Sequence, residues 1–243
     1  MQPVPCSACP LRKKSLFIPL TAEEIAFMED FKIGELTVAA GSTVLLEGSN
    51  SPQLFTVFSG MGTRSKVLVD GQRQVINFLF PGDFIGLQAG LMGEMKHSVE
   101  ATTAMRLCVF ARSNLWTLFQ VQAARAYDLT WIAAVEEHFL GETIASLGQR
   151  DARQRVAWAL LRIHQRLAAV DLIENDTVPM PYRQQDLADA LGLSLVHTNK
   201  TLAYLRDQGI ANWSRQLLSV PDKALLARVA GTDLVPPERR PIL

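Results

Sequence analysis

Between Ile33 and Phe110 the apolar positions fall on every second residue in short runs: GELTV at 34–38, STVLL at 42–46, LFTVF at 54–58, SKVLV at 65–69, QVINFLF at 74–80 and MRLCVF at 105–110. Side chains of a strand point alternately to its two faces, so this period predicts strands with one buried face. Gly41, Gly48, Gly60, Gly62, Asp70-Gly71 and Pro81-Gly82-Asp83 separate the runs. Asp-Gly between two alternating runs is a hairpin signal, and turns spaced at about ten residues predict an antiparallel roll or barrel. The segment 86–97, GLQAGLMGEMKH, breaks the alternation and predicts a short helix and loop, where a roll could hold a small ligand.

On either side the period lengthens to that of a helix. Thr21-Ala-Glu-Glu opens one that runs to about Phe31, with threonine as cap and glutamate three residues on. From Val121 to Leu147 no proline occurs, and Leu129, Ile132, Val135, Phe139, Leu140, Ile144 and Leu147 form a stripe. A stripe of about 27 residues exceeds what one small roll covers, which predicts a second copy of the chain across it; packing against the chain's own roll is the alternative. Gly148 is the expected joint to a further helix, Asp151 to Ala169, whose buried face is Val156, Ala157, Leu160, Leu161 and Ile163.

Residues 183–205, RQQDLADALGLSLVHTNKTLAYL, read as helix, turn, helix. Leu187, Ala188, Leu191, Leu193, Thr198, Leu202 and Leu205 recur at helical spacing, and Gly192 interrupts them where a turn needs positive φ. The first helix spans Arg183 to Leu191 and the second opens at Ser194, whose hydroxyl can cap it. The exposed face then carries Val196, His197, Asn199, Lys200 and Tyr204, a set able to meet base edges, a thymine methyl and phosphate. An ordinary helical hairpin is the competing reading. GIANWSRQLLSVPD, after Leu205, predicts two short strands around a turn, as in a wing, and the tail VPPERRPIL predicts disorder.

Composition changes this picture little. Twenty-four lysines and arginines balance 24 aspartates and glutamates; residues 1–150 carry 12 basic and 14 acidic side chains, leaving 12 and 10 for the rest, too slight a bias to imply a polyanion partner. No apolar run reaches the roughly 18 residues of a membrane span and no leader opens the chain, so the expectation is a soluble, cytoplasmic protein. Three cysteines fit a reducing compartment. Cys6 and Cys9 have the gap that lets two thiolates reach one metal or cluster, with Arg12, Lys13 and Lys14 favouring the thiolate, but two ligands are not a site; Cys108 is the third cysteine. The four histidines, His97, His138, His164 and His197, fall in separate elements, and no phosphate-cradling glycine loop occurs, so an enzyme is not expected.

A glycine-punctuated roll, a long pairing helix, a winged helix-turn-helix and a cysteine-bearing N-terminus, in that order, resemble the bacterial CRP/FNR family of transcription regulators over nearly the whole chain. PGDFIG at 81–86 and DLADALGLSLVHTNKTL at 186–202 carry the resemblance. It implies an α+β protein: an N-terminal cysteine segment at 1–20, a cyclic-nucleotide-binding-like jelly roll at 21–120, a dimerisation helix at 121–148, a winged helix-turn-helix at 149–232 and the tail at 233–243. It implies double-stranded DNA, a second copy of the chain and RNA polymerase as partners, with no membrane. Base readout would fall to Val196, His197, Asn199 and Lys200 with Ser194 at the helix start, and phosphate contacts to Arg183, Gln184 and Gln185. The effector pocket would lie at Gly86, Leu87, His97 and Ser98. Family members that bind cyclic nucleotides hold the ribose with a glutamate and the cyclic phosphate with an arginine followed by serine or threonine. Here those positions are Leu87, His97 and Ser98, which argues against cyclic AMP. Oxygen-sensing members hold a [4Fe-4S] cluster on four cysteines. Cys6, Cys9 and Cys108 resemble three of those, while the remaining position, near Ser15 or Phe17, lacks a thiol; members that use three cysteines and a carboxylate leave a cluster as an alternative. A redox sensor with an iron-sulfur cluster on these three residues, or a roll serving as an interaction module with weak DNA binding, are the alternative functions. Many members read DNA with a glutamate and an arginine; Val196 and Lys200 stand there, implying a different half-site.

Overall fold

The computed structural model describes residues 3–243, and the chain divides into two compact units. The first takes the chain up to Lys66, Asn77–Glu137 and Arg239–Leu243; the second takes Val67–Ile76 and His138–Glu238.

Eight strands build the roll: β1 (Lys32–Val38), β2 (Thr43–Leu45), β3 (Gln53–Ser59), β4 (Gly62–Val67), β5 (Arg73–Leu79), β6 (Phe84–Ile85), β7 (Ser98–Ala101) and β8 (Met105–Ala111). They form two four-stranded sheets, ordered β1-β8-β3-β6 and β2-β7-β4-β5. The two-residue period decides what each face meets. From β3 and β8, Phe55, Val57, Met105, Leu107 and Val109 join Leu45, Leu79, Ile85 and Val99 in one core. The alternate residues Leu54, Cys108 and Phe110 turn the other way, toward α1 (Ala22–Phe31), a short α3 (Leu115–Val121) and the start of α4 (Ala123–Gln149). Phe31 stacks on Phe110 at 5.4 Å between centroids. Thr21 caps α1 as expected, its hydroxyl accepting from the Glu24 amide at 3.2 Å while the Glu24 carboxylate accepts from the Thr21 amide at 2.7 Å. The segment 86–97 holds α2 (Leu87–Met92).

Four expectations need correction. The apolar stripe of α4 is not all available to a partner: Leu129 and Ile132 are 2% and 4% exposed within the first unit's core, whereas Leu140 and Ile144 are 41% and 70% exposed. The long helix begins after a break at Gln122 rather than at Val121. It also runs through Gly148, which has no positive φ, so the joint lies at Arg150 and Asp151, where the Asp151 carboxylate caps the next helix. Finally, the last residues of the tail pack on the first unit. Arg240 bridges Phe17 in parallel, the Ile18 amide donates to the Arg240 carbonyl at 2.9 Å, and Ile242 and Leu243 are buried. Composition alone misjudged it because the apolar pair Ile242-Leu243 ends an otherwise polar, proline-rich stretch.

In the second unit α5 (Ala152–Ala169) buries Val156, Ala157, Leu160, Leu161 and Ile163 and packs against α6 (Gln184–Leu191), α7 (Leu195–Asp207) and α8 (Lys223–Ala230). A three-stranded sheet of β9 (Thr177–Pro179), β10 (Asn212–Ser214) and β11 (Leu217–Ser219), ordered β10-β11-β9, completes it. No helix of the described residues is long and apolar enough to cross a membrane.

Candidate nucleic-acid interface

The helix-turn-helix is set by three local features. Gly192 ends α6 in the left-handed region at φ 61°, which a side-chain-bearing residue adopts only at a cost. Ser194 then caps α7, its hydroxyl accepting from the His197 amide at 3.2 Å. Thr198, Thr201 and Leu205 turn inward. What remains outward on the first turns of α7 is Leu195, Val196, His197, Asn199 and Lys200, all exposed, with Val196 at 65%. A hydrophobic contact, an imidazole, an amide and a cation presented together at a helix start suit the edges of base pairs in a major groove. Tyr204 does not belong with them: the Arg153 guanidinium lies 3.9 Å from its ring centroid and holds it.

At the start of α6 the predicted phosphate contacts differ among themselves. Gln184 is exposed. Arg183 is exposed too, but its Nη2 donates to Asp186 at 2.8 Å, and the Gln185 amide donates to Asp189 at 2.6 Å. Asp186 anchors the turn, accepting also from the Arg183 amide at 2.9 Å and from Arg73 Nη1 at 2.6 Å. Burial alone would raise its carboxyl; the hydrogen bonds from Arg183, then Arg73, outweigh that and hold it below the usual carboxylate range.

The wing shows contacts that sequence reasoning left unnumbered. Ser214 pairs with Leu217, so Arg215 and Gln216 form a two-residue turn, both exposed and at φ 50° and 61°. Neither is the asparagine or glycine that signals such a turn, which is why its tip was not foreseen. Trp213 is fixed by an Nε1 bond to the Met180 carbonyl at 3.1 Å.

The four residues assigned to an effector differ in their surroundings. Gly86 starts α2 at φ 94°, Leu87 packs on the outer core, and the Ser98 hydroxyl accepts from the Glu47 amide at 3.0 Å. His97 is buried, its pKa pulled down to about 4 by burial and then by nearby Arg64. Sequence reading missed Arg64, a buried arginine on β4 whose Nη1 donates to Glu136 on α4 at 2.8 Å and whose Nη2 donates to the Phe84 carbonyl at 2.7 Å.

Cys6, Cys9 and Cys108 do converge, on one small apolar cavity also lined by Leu11, Met28 and Phe110. They do not fit the four-ligand cluster of the resemblance. Phe17 is buried against Gly82, Ser15 is exposed, and Ile242 and Leu243 share the cavity with the thiols. Burial pushes Cys108 up to about 12, and at Cys6 it outweighs Lys32 and Arg12 and raises the thiol, which donates to the Met28 carbonyl. Among the described residues no three His, Cys, Asp or Glu side chains are placed to hold a metal ion.

Comparison with known proteins agrees with this architecture. Residues 35–122 match the family described as cyclic nucleotide-binding domain, and residues 154–229 match the Crp-like helix-turn-helix domain. The chain is 30% identical over 204 residues to the nitrogen fixation regulation protein FixK of Bradyrhizobium diazoefficiens, covering 84% of each chain. It is 29% identical over 232 residues to the transcriptional activator protein FnrL of Cereibacter sphaeroides, covering 94% of this chain and 92% of that one. The structure of FixK2 from Bradyrhizobium japonicum superposes with a TM-score of 0.74 at 24% identity, over 83% of this chain and 98% of that one, which speaks for the fold. A roll in the first match, a capped and outward-facing α7 in the second and full-length relatives that regulate transcription lead to one conclusion: the chain is a DNA-binding transcription regulator of the CRP/FNR family.

Proposed function

We propose that the protein works as a homodimer that binds a palindromic DNA site, each copy laying α7 into one major groove. The exposed first turns of α7 carry this reading: Val196, His197, Asn199 and Lys200 stand clear of the core on a helix start fixed by the Ser194 cap. Base readout falls to those four. Gln184 and the wing residue Arg215 serve as phosphate contacts, joined by Arg183 and Gln185 where DNA outcompetes Asp186 and Asp189. Val196, lacking an acceptor for a cytosine amine, favours an apolar contact such as a thymine methyl. The homodimer reading rests on Leu140 and Ile144, large apolar side chains left exposed along α4.

Cyclic AMP is not the signal in this reading. Leu87 packs among apolar side chains, neutral His97 is a poor partner for a cyclic phosphate, and the cation inside the roll, Arg64, is already bound to Glu136. RNA polymerase is the partner at a promoter, and the cytoplasm is the location.

A gel-shift series on a selected site tests the readout. Lys200→Ala is expected to weaken specific binding by about 1–3 kcal/mol, and Val196→Glu to change the preferred base at one position of each half-site. Unchanged preference in both variants would remove α7 from the reading.

A further inference from the structure

We propose that the roll carries a peptide-binding groove whose occupant is this chain's own segment 239–243, and that this segment gates chemical access to the thiol of Cys108. Three separate sets of contacts seat it. The backbone of Arg240 forms an isolated, strand-like parallel bridge with Phe17, its amide donating to the Leu16 carbonyl at 2.8 Å and its carbonyl accepting from the Ile18 amide at 2.9 Å. The side chains clasp: Arg240 Nη1 reaches Asp83 Oδ1 at 3.2 Å, on a carboxylate only 2% exposed, and Arg239 Nη2 donates to the Phe17 carbonyl at 3.4 Å. Asp83 belongs to the turn that opens β6, where Gly82 fits closely against the ring of Phe17, so clasp and bridge share one support. The third set is apolar. Ile242 and Leu243 are 5% and 8% exposed, and the Thr56 hydroxyl donates to the Leu243 carbonyl at 2.6 Å inside the unit.

The floor of this groove is the cavity into which Cys6, Cys9 and Cys108 open, with Ile242 and Leu243 as part of its wall. Cys108 lies there because it occupies the outward register of β8, between the inward Leu107 and Val109. Thiol-directed electrophiles need both a reachable and a deprotonatable sulfur, and apolar side chains walling the cavity beside half-buried Cys108 limit both. The segment therefore acts as a stopper whose departure opens the cavity.

The test is the rate of N-ethylmaleimide labelling of each cysteine, read by mass spectrometry, in the full chain and in Ile242→Asp/Leu243→Asp. Charges at those positions should expel the segment, giving about tenfold faster labelling of Cys108, since a locally opened site reacts in proportion to its open population. Adding a free peptide of sequence Arg-Arg-Pro-Ile-Leu in excess should slow the variant again. Equal labelling of Cys108 in the full chain and in a variant that still unfolds cooperatively overturns the proposal. Should the double variant not unfold cooperatively, Arg240→Ala decides on the same criterion, with about threefold faster labelling expected and an unchanged rate overturning it.

Discussion

His97 is a histidine that its surroundings keep neutral. Buried beside Arg64, with Glu136, Glu47 and Lys66 around it, it stays neutral in the folded chain down to about pH 4, while an unfolded chain takes up a proton near 6.5. The folded pKa lies below the unfolded one, so on acidification the unfolded state binds the proton first. Stability tied to neutral His97 is present above about pH 6.5 and is lost as pH falls toward 4, roughly 2 kcal/mol between pH 7 and 5. Urea unfolding at the two pH values should show that drop in the native chain, and His97→Gln should flatten it; an equal drop in both would assign it to other groups. The resemblance implies that His97 stands where nucleotide-binding members of the family carry a phosphate-binding arginine. The sequence could not show Arg64, because it falls just before the run at 65–69 and belongs to no alternating pattern, and only the fold brings it to Glu136, 72 positions along. Asp186 was hidden for a similar reason: its partner Arg73 lies in the β4–β5 hairpin.

At the scale of elements, those with a full period were legible and those without were not. Six of the roll's strands follow from alternation, but β6 has two residues and β7 reads Ser-Val-Glu-Ala, too little pattern to separate from a loop. The ends of α6 and α7 were readable because Gly192 and Ser194 act within one turn of themselves. Gly148 misled because a glycine is tolerated inside a helix at about 1 kcal/mol, so its presence does not mark an end. The wing turn offers a prediction at this scale. Arg215 and Gln216 both sit at positive φ in a two-residue turn where Asn-Gly is favoured, so Arg215→Asn/Gln216→Gly should stabilise the fold by about 1 kcal/mol. The same variant gives up a cation at the wing tip, and its DNA binding should weaken evenly across sequences. A thermal melt and a gel shift check the two halves; a less stable variant would mean that the turn geometry is wrong.

At the scale of the whole molecule, the proposed function depends on pairing. Two of the seven residues of the α4 stripe, Leu129 and Ile132, are spent inside the chain's own first unit, a division no periodicity could announce, since a residue facing a sheet and one facing a partner helix look alike in sequence. What is left for a second copy is the stretch around Leu140 and Ile144. Ile144→Asp should therefore halve the solution mass at micromolar concentration, measured by sedimentation, while leaving the roll folded; an unchanged mass would place the interface elsewhere. The most direct measurement of the whole account is selection of bound duplexes from a randomised pool by the full chain, followed by sequencing. Two α7 helices held by one dimer predict an inverted repeat whose half-sites are centred about 10 base pairs, one turn of the double helix, apart. Enrichment of a single unrepeated half-site, or of no sequence at all, would contradict it.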